Sequence, residues 1–307
     1  MRDNQSSFLT IKRELECLKP WLLASRPKTL PICLIPVLVG TALAFGRVER
    51  IDWTLSTLVF LCSLCLQVGT NYINDALDYK KGADTAERVG FLRVTQAGLL
   101  SFQQVLKGGF FFFACALLMG IPLILAGGWP FLFILIIASA CGYLYTGGPM
   151  PLAYHGLAEP FIFIFYGLVS TSAVYYLQTK SVDIDCLLAA TQLGLLAIVP
   201  CAINNLRDIQ SDAKINKRTL AVRFGATFGR LEIAFLLLAP FAMGGLWALK
   251  GKLLLALLPL AALPIAYRTV QSIWTTEPSA KYNEFFVGSV MSMVAFGLAL
   301  TAACLFS

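Results

Sequence analysis

Residues 53–88 read WTLSTLVFLCSLCLQVGTNYINDALDYKKGADTAER. The stretch from Trp53 to Tyr72 is almost wholly apolar, and about 20 such residues are what a helix needs to cross a hydrocarbon core about 30 Å thick. Polar and charged side chains then arrive with no intervening linker, as Asn71, Asn74, Asp75, Asp78, Lys80, Lys81, Asp84, Glu87 and Arg88. Asp75 and Asp78 stand three residues apart and so share a helix face, with Gly82 placed to end the helix. The same construction recurs downstream. An apolar run from Cys186 to Asn204 flows into Asn204-Asn205-Leu-Arg207-Asp208-Ile-Gln-Ser-Asp212-Ala-Lys214-Ile-Asn-Lys217-Arg218, where Asp208 and Asp212 are four apart and again on one face.

The rest of the chain fits a polytopic membrane protein. Its 307 residues are 58% hydrophobic and 13% charged, against roughly 45–50% and about 25% in soluble domains, and mean hydropathy is +0.74. A soluble globule and a disordered chain are both excluded. Nine apolar runs predict an all-α bundle of nine transmembrane helices: Leu22–Phe45, Trp53–Tyr72, Leu106–Ala126, Pro130–Tyr145, Leu157–Leu177, Cys186–Asn204, Leu231–Leu249, Leu253–Val270 and Phe286–Phe306. Prolines 31, 36, 122, 160, 200, 240 and 264 fall inside them and predict kinks. The expected organisation is one domain over residues 1–307, with 1–20 a cytoplasmic segment and 73–105 and 205–230 cytoplasmic catalytic loops. Met1–Lys19 lacks an apolar run ending at a cleavage site, so no signal peptide is expected.

Orientation follows from charge. Nineteen of the 24 Lys and Arg residues fall on the side of the N-terminus and the two acidic segments, and only Arg47, Arg50, Lys180, Lys250 and Lys252 fall opposite. The positive-inside rule makes the first side cytoplasmic and the membrane an inner, cytoplasmic one. The net charge of +7 is dispersed in short clusters between apolar runs, which suits the lipid bilayer and a phosphate-bearing ligand and not a nucleic acid; no protein partner can be inferred. The nine cysteines lie mostly in apolar runs and behave as small hydrophobes, so neither a disulfide framework nor a zinc site is expected from Cys62-x-x-Cys65 with His155 as the single histidine.

Four aspartates at membrane helix ends cost about 2.5–3.5 kcal/mol each if left dry near a helix centre. Water, cations or each other must compensate them. Paired carboxylates on facing helices are hard oxygen ligands of the kind that share Mg2+ with substrate phosphates, and the interleaved Lys80, Lys81, Arg88, Arg207, Lys217 and Arg218 suit the outer phosphate oxygens. With a single His and neither GxSxG nor a P-loop, histidine phosphotransfer, serine hydrolysis and nucleotide-driven pumping find no support.

Asn74-Asp75-x-x-Asp78 with Tyr79-Lys80-Lys81-Gly82-x-Asp84-Thr85, and Asp208-x-x-x-Asp212, resemble the two aspartate-rich motifs of the UbiA-type intramembrane prenyltransferases. Arg26-Pro27-Lys28-Thr29-Leu30-Pro31, Ala86-Glu87-Arg88-Val89-Gly90 with Arg93-Val94-Thr95-Gln96, Tyr145-Thr146-Gly147-Gly148-Pro149, and Asn204-Asn205-x-Arg207-Asp208 with Lys217-Arg218-Thr219-Leu220-Ala221 are similar, more narrowly, to the 1,4-dihydroxy-2-naphthoate polyprenyltransferases of menaquinone synthesis.

The resemblance implies a helical bundle with a cytoplasmic-facing cavity in which Mg2+, held by Asp75, Asp78, Asp208 and Asp212, binds an allylic polyprenyl diphosphate. Prenyl transfer to an aromatic naphthoate acceptor would follow, with loss of CO2. Diphosphate contacts fall to Asn74, Lys80, Lys81, Asp84, Arg88, Asn204, Arg207, Lys217 and Arg218, and the acceptor or cation pocket to Arg26, Lys28, Asn71, Tyr143 and Tyr145. Arg26 and Lys28 either pair with the acceptor carboxylate or snorkel at the surface. Phe110–Phe113, Phe161, Phe163, Phe165 and Tyr166 either line a groove for the prenyl tail or face lipid. Two departures from the family pattern, Ala76-Leu77 and Met150, bear on the acceptor and leave the acidic motifs intact. The rival readings are a related enzyme with a hydroxybenzoate-like or other acceptor, and a secondary transporter, whose site would sit at midplane between repeats.

Overall fold

The computed structural model describes residues 16–48, 50–83 and 89–306, and among these the chain is helical with no strand. Asp84 and Arg88 lie outside the described residues. A short helix α1 covers residues 16–24. There follow α2 (Pro31–Phe45), α3 (Trp53–Lys80), α4 (Phe102–Gly127), α5 (Trp129–Leu144), α6 (Ala158–Ile162) continuing through a π-helical stretch Phe163–Val169 into α7 (Ser170–Thr179), and α8 (Ile184–Arg207). After two short helices, α9 (Ile209–Lys214) and α10 (Leu220–Phe224), come α11 (Ala226–Ala242) with α12 (Gly244–Leu249), α13 (Leu253–Leu257) with α14 (Leu263–Thr275), and α15 (Tyr282–Phe306).

Eight of these helical stretches are long and apolar enough to cross a membrane, making this a multi-pass membrane protein. The fourth expected span is α5, at 16 residues about 24 Å long, which is short of a full crossing.

Several ends differ from the expectation for physical reasons. The first span does not run unbroken from Leu22: the chain breaks at Arg26, which is left-handed at φ 53°, and Pro27 and Pro31 each restart it as a new helical segment. Proline has no amide proton and disfavours helical backbone in the residue before it. Helix α3 passes Tyr72 and holds to Lys80, so residues 73–80 are helix and not loop; Gly82, at φ 71°, then turns the chain. Caps fix several helix starts. Asp52 accepts from Leu55 N at the start of α3, Ser101 and Gln104 form a capping box on α4, and Asp183 accepts from Cys186 N on α8.

Close helix packing rests on small residues, as expected where lipid gives no hydrophobic drive between helices. A Cβ on Gly69 of α3 would lie 2.9 Å from the Gly109 carbonyl of α4, and one on Gly167 of the π-helical stretch would lie 2.5 Å from Gly194 Cα of α8. Helix α8 is the central column, with 78% of its apolar window buried. Its far end therefore presents Asn204, Asn205 and Asp208 from the most deeply buried of the spanning helices.

Candidate active site

Two cavities meet where α3, α5, α6 and α8 converge. The polar one, about 150 Å3, is lined by Arg26, Asn74, Asp78, Arg93, Asn204, Asn205, Asp208, Asp212 and Lys217. The apolar one, about 210 Å3, runs between α3, α5 and the α6–α7 stretch past Val59, Leu66, Phe131, Leu135, Phe161 and Phe165. Arg26, Gln67, Asn74, Tyr145, Ile162 and Tyr166 line both.

Asp78 faces the polar cavity. Its Oδ1 accepts from the Tyr154 hydroxyl at 2.9 Å and its Oδ2 from Asn74 Nδ2 at 2.8 Å, and Arg93 Nη2 lies 3.8 Å away. Asp208 caps α8 and is gripped by Arg207 through two bonds, Nε to Oδ1 at 2.8 Å and Nη2 to Oδ2 at 2.7 Å. Asp212, one turn on in α9, pairs with Lys217, whose Nζ is 3.2 Å from Oδ1 and 3.1 Å from Oδ2. Burial raises the Asp212 carboxyl above the usual carboxylate range, Asp208 and Asp78 add to this, and Lys217 opposes it. Burial works against the Lys217 charge, yet Asp212, Asp78 and Asp208 outweigh it and hold that ammonium above its usual range. The acids thus converge electrostatically even where they do not touch.

Asp75 does something else. It is 2% exposed and outside both cavities, and its two oxygens accept the backbone N–H groups of Val94 (3.2 Å) and Thr95 (3.0 Å). It ties the segment after the undescribed residues to α3, next to the cavity-lining Arg93.

The basic residues divide similarly. Lys217 lines the polar cavity, whereas Arg207 spends its guanidinium on Asp208 and, at 2.7 Å, on Asn283. Lys81 donates to the Thr146 carbonyl and stands 4.6 Å from the Tyr154 ring, and burial lowers its pKa, offset in part by Asp78. Lys80 points at the Phe102 ring, and Arg218 bonds Asn216 on the exposed surface. Arg26 donates to Asn74 Oδ1 at the junction of the cavities. Lys28 instead sits 4.4 Å over Phe91, outside both cavities. Asn71 donates to Ser25 O and lines the apolar cavity; Tyr145 lines both, while Tyr143 stacks on Phe110 at 6.0 Å and lines neither. Phe161, Phe165 and Tyr166 face the apolar cavity, whereas Phe110 and Phe111 are exposed on the bundle's outer face. Met150 is exposed and Ala76 is buried away from both cavities, so neither departure touches their walls.

Sequence reasoning missed Tyr154, which hydrogen-bonds Asp78 while Lys81 and Lys217 approach its ring at 4.6 and 5.9 Å. Asn205 stood in the second acidic motif without an assigned role; its Nδ2 donates to buried Glu159 at 2.8 Å. Gln67, which donates to the Thr29 hydroxyl and accepts from the Tyr166 hydroxyl, had no signal beyond being a polar group in an apolar run.

Among the described residues no three His, Cys, Asp or Glu side chains are grouped so as to hold a metal ion by themselves. The donor set nevertheless suits a hard divalent cation shared with a ligand. Asp78, Asp208 and Asp212 line one cavity, and Asn204 Oδ1 is buried there with no hydrogen-bond partner.

Residues 33–305 match the model of the UbiA prenyltransferase family. The chain is 37% identical over 260 residues to a 1,4-dihydroxy-2-naphthoate octaprenyltransferase of Haemophilus influenzae, covering 80% of this chain and 84% of that one. It is 34% identical over 261 residues to the enzyme of that name from Escherichia coli (81% and 84%) and 30% identical over 292 residues to that of Mycobacterium tuberculosis (93% and 97%). A UbiA homolog from Archaeoglobus fulgidus, solved bound to GPP and Mg2+, superposes with a TM-score of 0.60 at 17% identity, covering 92% of this chain and 99% of that one.

Proposed function

The chain belongs to the UbiA prenyltransferase family, and we propose from that premise and from its joined cavities that it transfers a polyprenyl group from an allylic polyprenyl diphosphate to 1,4-dihydroxy-2-naphthoate, releasing diphosphate and CO2 and forming demethylmenaquinol. One observation carries the donor assignment: the acid-lined cavity and the apolar cavity share six wall residues, so one ligand with a charged head and a hydrocarbon tail can occupy both. The naphthoate acceptor is supported by the names of relatives that are 30–37% identical over most of the chain.

Asp78, Asp208, Asp212 and Asn204 are the residues that would hold Mg2+, which, when bound, neutralises the charge that develops on the departing diphosphate. Lys217 and Arg93, which line the same cavity, meet the outer phosphate oxygens, while Arg207 keeps Asp208 aimed and Tyr154 with Asn74 keeps Asp78 aimed. Tyr145, at the shared wall, puts an aromatic face and a hydroxyl beside the point where head and tail must meet, where an allylic cation gains from a π-face. Arg26, held left-handed between the cavities, is the group for the acceptor carboxylate, and Lys28 is an interfacial anchor. In this reading the chain is one domain whose acid-lined end faces the cytoplasm of an inner membrane, an orientation supported by the Lys and Arg distribution. Reporter fusions at Lys81 and Lys214 are expected to report cytoplasm and one at Lys180 the outside; Lys81 and Lys214 on opposite sides would rule out a shared site.

Steady-state kinetics with each substrate varied separate the two halves of the pocket. Lys217→Ala is expected to raise the KM for the prenyl diphosphate about 10-fold or more, the worth of one charged hydrogen bond, with the acceptor KM nearly unchanged. Arg26→Ala is expected to do the reverse. A Lys217 variant impaired only in acceptor KM would show the halves to be exchanged.

A further inference from the structure

A third cavity, of about 460 Å3, opens at the end of the bundle opposite the acids. Asp185, at its rim, stands near the start of α8 and Arg207 at its end, about 33 Å apart along the helix axis. Its lining combines apolar Leu43, Leu253, Leu255 and Phe306 with charged Arg47, Asp185 and Lys252, and Arg47 is paired with Asp183 at 2.7 Å. Lys250 and Lys252 both donate to the single carboxylate of Asp185, Lys252 at 2.6 Å, and Asp185 is 5% exposed. Two ammonium groups on one carboxylate leave one positive charge over and several N–H donors unspent.

The depth of this rim in the membrane is also marked. Trp53 and Trp129, 66% and 72% exposed, begin α3 and α5 at this same end, and exposed tryptophan gathers at headgroup level. A half-apolar cavity with surplus positive charge at that depth matches a phosphodiester attached to acyl chains.

We propose that this cavity binds an anionic phospholipid from the leaflet opposite the active site, its phosphate on Lys250 and Lys252 and its upper acyl carbons on Leu43, Leu253 and Phe306. Occupation would tie the ends of α2, α8, α13 and α15 together without entering the catalytic cavities.

The test is native mass spectrometry of the purified full-length protein with phosphatidylglycerol and phosphatidylcholine of identical chains, alongside thermal shifts with each lipid and with inorganic phosphate. Phosphatidylglycerol is expected to be retained at least 10-fold over phosphatidylcholine and to raise the melting temperature, with no shift from inorganic phosphate at equal concentration. The triple variant Asp185→Asn, Lys250→Gln, Lys252→Gln, which leaves no unpaired buried charge, is expected to lose the preference with prenyl transfer unchanged. Gly46→Leu keeps every charge and fills the cavity: Gly46 has φ −70°, and a Cβ there meets only the Leu43 carbonyl at 3.6 Å. It too is expected to lose binding. Equal retention of both lipids, an inorganic phosphate shift as large as the lipid's, or undiminished selectivity in either variant would overturn the proposal, and none of these readouts depends on which reaction the enzyme catalyses.

Discussion

Asp78→Asn and Asp208→Asn are each expected to lower turnover by about 10²–10³-fold, the usual loss on deleting one strong preorganised electrostatic contact, and to raise the Mg2+ concentration needed for half-maximal rate. Asparagine is the informative replacement because Arg207, whose side chain is 1% exposed, grips both oxygens of Asp208. Truncation to alanine would strand that guanidinium in the bundle, at a cost of about 3–5 kcal/mol for a broken buried pair, and confuse unfolding with lost chemistry. The amide preserves shape and one acceptor for Arg207 but also removes its countercharge, so the melting temperature of Asp208→Asn is measured beside its turnover to separate lost stability from lost chemistry. Activity is likewise expected to vanish in EDTA and return with added Mg2+; undiminished turnover in EDTA would remove the divalent cation from the mechanism.

Asp75→Ala is expected to behave differently from these. Its carboxylate accepts two backbone N–H bonds, from Val94 and Thr95, and hydrogen bonds to charged groups contribute about 1.5–3 kcal/mol each. The substitution is therefore expected to destabilise the fold by about 3–6 kcal/mol, visible in the melting temperature, and to lower kcat by releasing the segment that carries Arg93 into the polar cavity. The apparent Mg2+ constant of the folded fraction should stay within about twofold of the parent. A large rise in that constant without loss of stability would return Asp75 to the metal ligands that the family resemblance implies.

Why Asp75 and Asp78 part company shows where the sequence stops being legible. Three residues on a helix of 3.6 per turn return to within about 60° of the start, close enough to read as one face. That residual angle still sends Asp78 to the cavity and Asp75 to the Val94–Thr95 backbone. Sequence reasoning also grouped Arg207 with Lys217 as phosphate contacts, because both are cations near acids. Only the structure separates them, since Arg207 is adjacent to its partner and buried, while Lys217 returns from a loop to face the cavity.

Hydropathy located the membrane helices well because about 20 apolar residues have few alternatives. It ran the first span through Arg26, where Pro27 and Pro31 break it, and stopped the second at Tyr72, although α3 keeps its ladder to Lys80 despite its polar residues. Those last two turns hold Asn74, Asp75 and Asp78, which are buried because α4, the Thr146 loop and Tyr154 cover them. Tyr154 itself stands 76 residues from Asp78, and nothing local to either residue announces the contact.

The most direct test of the central claim is the product formed by the purified protein from a polyprenyl diphosphate, Mg2+ and either 1,4-dihydroxy-2-naphthoate or 4-hydroxybenzoate, analysed by mass spectrometry. The joined cavities and the family predict prenylated, decarboxylated naphthoate in equal amounts with released diphosphate, and its near-complete loss in Asp208→Asn. Prenylated hydroxybenzoate with no naphthoate product would contradict the acceptor, and no prenylated product from either would contradict the enzyme.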